Sequence, residues 1–267
     1  ALPAAAAGGA GGGEAARQEL VQRLLLGTCW RAYEAQGVPA QRLGSATAAL
    51  RVLRAFQRLK ALDAAGLKKE CERLGLPAEG GQGSLELLKQ VALWGELPLS
   101  ELQAECHSCG CPAGSELGAC RAGAEERRAL TERLLVARCA EGYEARGVPV
   151  RRLGSVKAAA LLASQYARLE ARDSAGLAAE RRRLGLPAEA GLEDLRLAAL
   201  WGWLPLAELR RECQERGVAA GGLKSWGSSA GERAELAARL LVGLCAGAYE
   251  ALGVPARRLG SAPLAAE

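Results

Sequence analysis

The chain reads as an all-α protein, on three observations. Ala and Leu supply most of the apolar character of a sequence that is 49% hydrophobic yet only 4% aromatic, and both are strong helix formers. β-branched residues are few. A Gly–apolar–Pro triplet also closes helical text at near-even intervals. It occurs at Gly37, Gly75, Gly110, Gly147, Gly185 and Gly253, with Gly217-Val218-Ala219 as a degenerate member, at spacings of 32 to 38 residues.

Each triplet has a mechanical reading. Gly can take the left-handed conformation that ends a helix without a Cβ penalty. The apolar residue folds back on the helix end, and Pro forbids continuation. The predicted fold is a tandem helical-hairpin repeat array, seven copies of a unit of about 36 residues, grouped in threes. A longer period overlies the short one. The phrase YEAQGVPAQRLGS at 33–45 returns as YEARGVPVRRLGS at 143–155 and YEALGVPARRLGS at 249–261.

Taken in order, residues 1–14 read as a flexible Ala/Gly linker. Residues 15–62 form a partial first repeat, 63–172 a full repeat of three helix–turn–helix units, and 173–267 a second repeat truncated in its last unit. Ser45, Ser84, Ser155 and Ser261 are candidate N-caps of second helices, and Asp63 and Asp173 cap the helices at AAGLKKE and SAGLAAE. Pro98 and Pro205 sit at helix starts, where a missing N–H costs nothing. Two stretches, 125–147 and 232–253, keep apolar residues at helical spacing without a break. They predict two long helices bridging units, preceded by loop insertions at GSELGACRAGA and GLKSWGSSAG. The chain contains no Met, as expected of a piece of a longer product or a processed one.

In the sixth unit, Leu206, Leu209, Arg210, Gly217 and Val218 are followed by Gly231, Arg233, Leu236, Arg239 and Leu240. This pattern resembles the SAP domain, a short helix–turn–helix module. LKKECERLGLP, LAAERRRLGLP, and LSELQAEC with RRALTERLL look similar. The resemblance implies nucleic-acid binding, to DNA or RNA, through the start of the second helix and basic residues before it. Carried over, the candidates are Lys224, Arg233 and Arg239, Arg127 and Arg133, and Arg17 and Arg23. Units 2 and 5 lack the lysine after the turn Gly, and units 3 and 6 carry insertions in that turn.

The residues add their own candidates. Arg42, Arg151 with Arg152, and Arg257 with Arg258 precede the capping Ser of the phrase. A helix N-terminus with an Arg and a Ser hydroxyl makes a phosphate pocket, contacted without regard to base sequence. The competing expectation is bracing: Glu34, Glu144 and Glu250 recur at the preceding helix end, and a Glu144–Arg152 pair would occupy the arginine. Trp94 and Trp201 in ALWG, and Tyr33, Tyr143 and Tyr249, read as core. Trp226, in a polar insertion beside Lys224, is the aromatic expected to be exposed and able to stack on a base.

Composition narrows the function. Net charge is +5 and pI about 8.8, which permits nucleic acid without demanding it. There is no apolar run long enough to span a membrane and no visible signal peptide. Recurrent Cys in helix faces read as buried small hydrophobes, which points to a reducing intracellular compartment, the nucleus favoured. CHSCGC (Cys106, His107, Cys109, Cys111) invites a zinc reading. Its counterpart CQERGV keeps one ligand, so no metal or cofactor is expected. His107 is the only His, which leaves no His-based catalytic triad. The expectation is a non-enzyme: a nucleic-acid binder of tandem SAP-like modules, or alternatively a protein-interaction scaffold or structural subunit of a larger assembly without nucleic acid.

Overall fold

The computed structural model describes residues 10–77, 82–111, 123–221, 229–260 and 262. Among them every regular element is an α-helix and none is a strand. The helices are α1 (Ala10–Glu34), α2 (Ala40–Leu43), α3 (Ala46–Lys60), α4 (Ala64–Leu74), α5 (Gln82–Glu96), α6 (Leu99–Ser108), α7 (Gly123–Glu144), α8 (Val150–Leu153), α9 (Val156–Glu170), α10 (Ser174–Leu184), α11 (Leu192–Trp203), α12 (Leu206–Glu215), α13 (Ser229–Ala251) and α14 (Ala256–Leu259). None of the described helices is long and apolar enough to cross a membrane.

Helix ends follow local chemistry. Gly37, Gly147 and Gly253 all have positive φ. In each case the next residue's N–H reaches back to the tyrosine carbonyl: Val38 to Tyr33, Val148 to Tyr143, and Val254 to Tyr249. Leu186 closes on Arg181, Cys111 on Cys106 and Val218 on Cys213 in the same way. Val218 does so with Ala219 after it, so glycine and the back-folding apolar residue suffice, and proline only reinforces the stop. Val38 and Val148 are buried, the apolar contact that accompanies such closures.

Helix starts are capped where expected. Ser45 accepts from the N–H of Ala48 and Ser155 from that of Ala158. Asp63 accepts from Gly66 and Asp173 from Gly176, at 2.7 and 2.8 Å. Ser84 does not cap: α5 starts at Gln82, whose side chain bonds Glu86 one turn on, and Ser84 is buried inside the helix. Ser261 lies outside the described residues. Residues 10–14, part of the segment expected to be a linker, are helical. Helix α1 begins at Ala10, because extending an existing helix adds a hydrogen bond per residue and tolerates a few Gly; residues 1–9 lie outside the description.

The chain divides into two compact units, 1–74 with 78–137, and 75–77 with 138–267. The division falls inside α7. In the first unit α3 packs on α5, with α1, α2 and α4 against them. Ala49, Val52, Phe56 and Leu59 form the buried stripe of α3, at the spacing of one helix face. Each large side chain there removes apolar area worth about 1.5–3 kcal/mol from water. In the second unit α11 lies between α9 and α13, and α12 packs on α13. Leu162, Leu195, Trp201, Leu209, Leu236 and Leu240 are at most 1% exposed there.

Candidate functional site: the recurring arginines

The phrase delivers its arginines onto three short helices, α2, α8 and α14, of which the first two show the fuller geometry. Each of these two leaves a buried Leu, Leu43 or Leu153, and a left-handed Gly behind it. That geometry points Arg42 and Arg152 at a helix far ahead in the chain. Arg42 Nε donates to Glu101 Oε2 at 3.0 Å, and its Nη2 to Glu105 Oε2 at 2.6 Å. Arg152 Nε donates to Glu208 at 2.9 Å, and its Nη2 to Glu212 at 2.6 Å. Both times the acids stand four apart on one helix, so their carboxylates lie one above the other and each takes one branch of the guanidinium fork. Those bonds raise both arginines above their ordinary pKa. For Arg152 they do so against burial, which opposes its charge.

The expected Glu144–Arg152 pair is therefore replaced. The neighbouring Arg151 takes Glu144 at 3.1 Å, and Arg257 stands 3.6 Å from Glu250. One residue's step around a single helical turn sends Arg151 back across the turn and Arg152 inward.

A second set of arginines ties helices to carbonyls. On α7, Arg127 donates to the carbonyls of Trp94 and Leu97. On α13, Arg233 donates to those of Leu204 and Gly202, both at 3.2 Å. These are the ends of α5 and α11, where carbonyls lack intrahelical partners and a cation is favoured. Arg239 donates to Ala219 and Gly221 and pairs with Glu235. Arg133 is also engaged. Arg17 and Arg258 are exposed, with no hydrogen-bond or ion-pair partner among the described residues. The side chain of Arg23, and Lys224 and Trp226, lie outside the described residues.

The aromatic residues complete the bracing. Trp94 and Trp201 are 1% exposed. Trp201 Nε1 donates to Glu212 at 3.3 Å and carries Arg216 over its ring at 5.1 Å. The hydroxyls of Tyr143 and Tyr249 donate to the turn carbonyls of Gly75 and Gly185. Cys106 sends its thiol to the Leu130 carbonyl, and burial pushes it up to about 11. Cys111 reaches the Arg133 carbonyl, while Cys109 and His107 face solvent. No three potential metal ligands stand together among the described residues.

Two features were missed in the sequence. The acids Glu101, Glu105, Glu208 and Glu212 were visible as LSELQAEC and LAELRREC, the same spacing twice, but were read only as part of a helix pattern. Helix α3 carries Arg51, Arg54, Arg58 and Lys60 and no acidic residue. Arg51 pairs with Glu96, while Arg54, Arg58 and Lys60 are exposed. An acid-free run of cations at helical spacing was the signal.

No family model matches the chain, and neither a curated protein sequence nor a solved structure is similar to it.

Proposed function

We propose that this chain is a helical-repeat scaffold of tandem SAP-like hairpins, a protein-interaction or structural module whose recurring arginines hold it in shape. One observation carries the reading: Arg42 and Arg152 each grip two carboxylates, so the fork of each guanidinium is already taken by acids of the chain itself. A phosphate entering there would meet two carboxylates already in place of it. Arg127, Arg233 and Arg239 support the same reading, since their donors are spent on carbonyls that would otherwise lack partners.

A second reading, nucleic-acid binding, is supported at a different place. Arg54, Arg58 and Lys60 are exposed on α3, a helix without an acidic residue, although Glu70 of α4 lies close enough to feel the charge of Arg58. The readings separate in one titration of labelled DNA and RNA at about 50 and about 200 mM salt, the range over which phosphate contacts weaken steeply. The scaffold reading expects no saturable binding in the low-salt arm at micromolar protein. Saturable binding that weakens with salt and vanishes in Arg54→Glu/Arg58→Glu would replace it with the nucleic-acid reading.

A further inference from the structure

Leu20, Leu24 and Leu25 of α1 are 60%, 71% and 48% exposed. Their counterparts 110 residues on, Leu130, Leu134 and Leu135, are 3%, 1% and 8% exposed, and at the next recurrence Leu236 and Leu240 are fully buried. Cys29 is exposed where Cys139 and Cys245 are buried. The same apolar face is thus covered twice and open once. Bare leucines on two consecutive helical turns, with the exposed Cys29 one turn further, form a patch of the kind that marks an interaction surface.

The chain itself shows what covers such a face. On α7 it is α6, whose Cys106 reaches Leu130 and whose Gln103 bonds Glu126. On α13 it is α12, with α11 beside it. Polar chemistry confirms the register independently. Arg127 and Arg233 cap the carbonyl ends of α5 and α11. The equivalent residue on α1 is Arg17, exposed and without a partner among the described residues.

We propose that the open face of α1 is a docking site for a helix pair of the α11–α12 kind supplied by a further repeat segment. The partner is defined by its chemistry: a first helix ending in Leu-Trp-Gly-x-Leu-Pro, whose carbonyls receive Arg17, then an amphipathic helix Leu-x-Glu-Leu-x-x-Glu-Cys laid on Leu20 and Leu24. This partner class rests on the scaffold reading.

The test uses the whole chain and a synthetic peptide with the sequence of 192–217, carrying Cys213→Ala. Binding is read by anisotropy of the labelled peptide and by the alkylation rate of Cys29, located by mass spectrometry. Saturable one-to-one binding is expected, with Cys29 alkylation slowed about tenfold at saturation. Leu24→Asp, at a position already exposed and therefore harmless to folding, should abolish both signals. Arg17→Ala should weaken binding about tenfold, the worth of a charged hydrogen bond. No saturable binding, or binding indifferent to Leu24→Asp, overturns the docking site. Either result beside a blank nucleic-acid titration removes this site alone; salt-sensitive nucleic-acid binding removes the scaffold reading itself.

Discussion

The arginine clusters of the two units share one skeleton but not one environment. In the first unit Arg42 holds Glu101 and Glu105, with side chains 39%, 39% and 21% exposed. In the second, Arg152 holds Glu208 and Glu212, at 29%, 21% and 7%. The deeper cluster also has more partners. Glu212 accepts from Arg216 and from Trp201, and Glu208 from Arg211. At the places of Arg211 and Arg216 the first unit has Ala104 and Cys109. Among the described residues, Trp94 Nε1 has no acceptor there, whereas Trp201 has one. A carboxylate can be buried only as far as its donors replace lost water, so each added arginine allows Glu212 to sit deeper. The same two-acid grip is a surface brace in one unit and a buried charge network in the other.

The difference is broken most directly by removing the acids. Glu212→Ala leaves Arg152 and Arg216 short of an acceptor and strips Trp201 of its partner. It should cost about 3 kcal/mol, the range for opening a buried ion pair. Glu105→Ala should cost about 1 kcal/mol, because water can replace the lost carboxylate. Urea unfolding followed by circular dichroism measures both. Equal losses would mean that burial does not distinguish the clusters.

Acid sharpens the same comparison. Burial opposes the charge on Glu212, but hydrogen bonds from Arg216, Arg152 and Trp201 outweigh it and hold the carboxyl below its usual range. A carboxylate lowered in the folded state contributes stability that is complete above the unfolded value, about 4.3, and lost as pH falls through the folded one. Between pH about 5 and about 3, the wild type should therefore lose stability more steeply than Glu212→Gln, whose amide does not titrate. Glu70 and Glu180, held low by Arg73 and Arg183, titrate in both proteins, so the gap between the two curves belongs to Glu212. Parallel curves would contradict the assignment.

What could be read beforehand divides along the same physical line. Caps and stops are decided within a few residues, so Ser45, Ser155, Asp63, Asp173 and the glycine turns were legible from their neighbours. Ser84 misled because α5 already includes Gln82, which places Ser84 inside the helix and not at its cap. The partners of Arg42 stand 59 and 63 residues away, a distance at which no local preference operates. Choosing between phosphate and bracing needed to know which helix lay opposite. That choice could have been narrowed, since two acids four apart recur after the phrase in both units, the first of them 59 residues beyond Arg42 and 56 beyond Arg152. Burial itself was not legible: Leu20 and Leu130 have the same local sequence role, and only the presence of a covering helix separates them.

The smallest effect tests that point on adjacent residues. Arg151 and Arg152 share a helical turn, a charge and an acidic partner each way. Arg151 is 68% exposed and pairs with a Glu144 that is itself 36% exposed. Such pairs gain little, because water screens the attraction and ordering two long side chains offsets the rest. Arg151→Ala should change stability by less than about 0.3 kcal/mol. Arg152→Ala, one residue on, removes two charge-assisted hydrogen bonds at the edge of the buried network and should cost about 2 kcal/mol. The contrast needs no help from propensity, since both variants place the same alanine in the same short helix. If both cost the same, the phrase would be acting through its helix alone, and the grip of Arg152 on Glu208 and Glu212 would contribute nothing to holding the unit together.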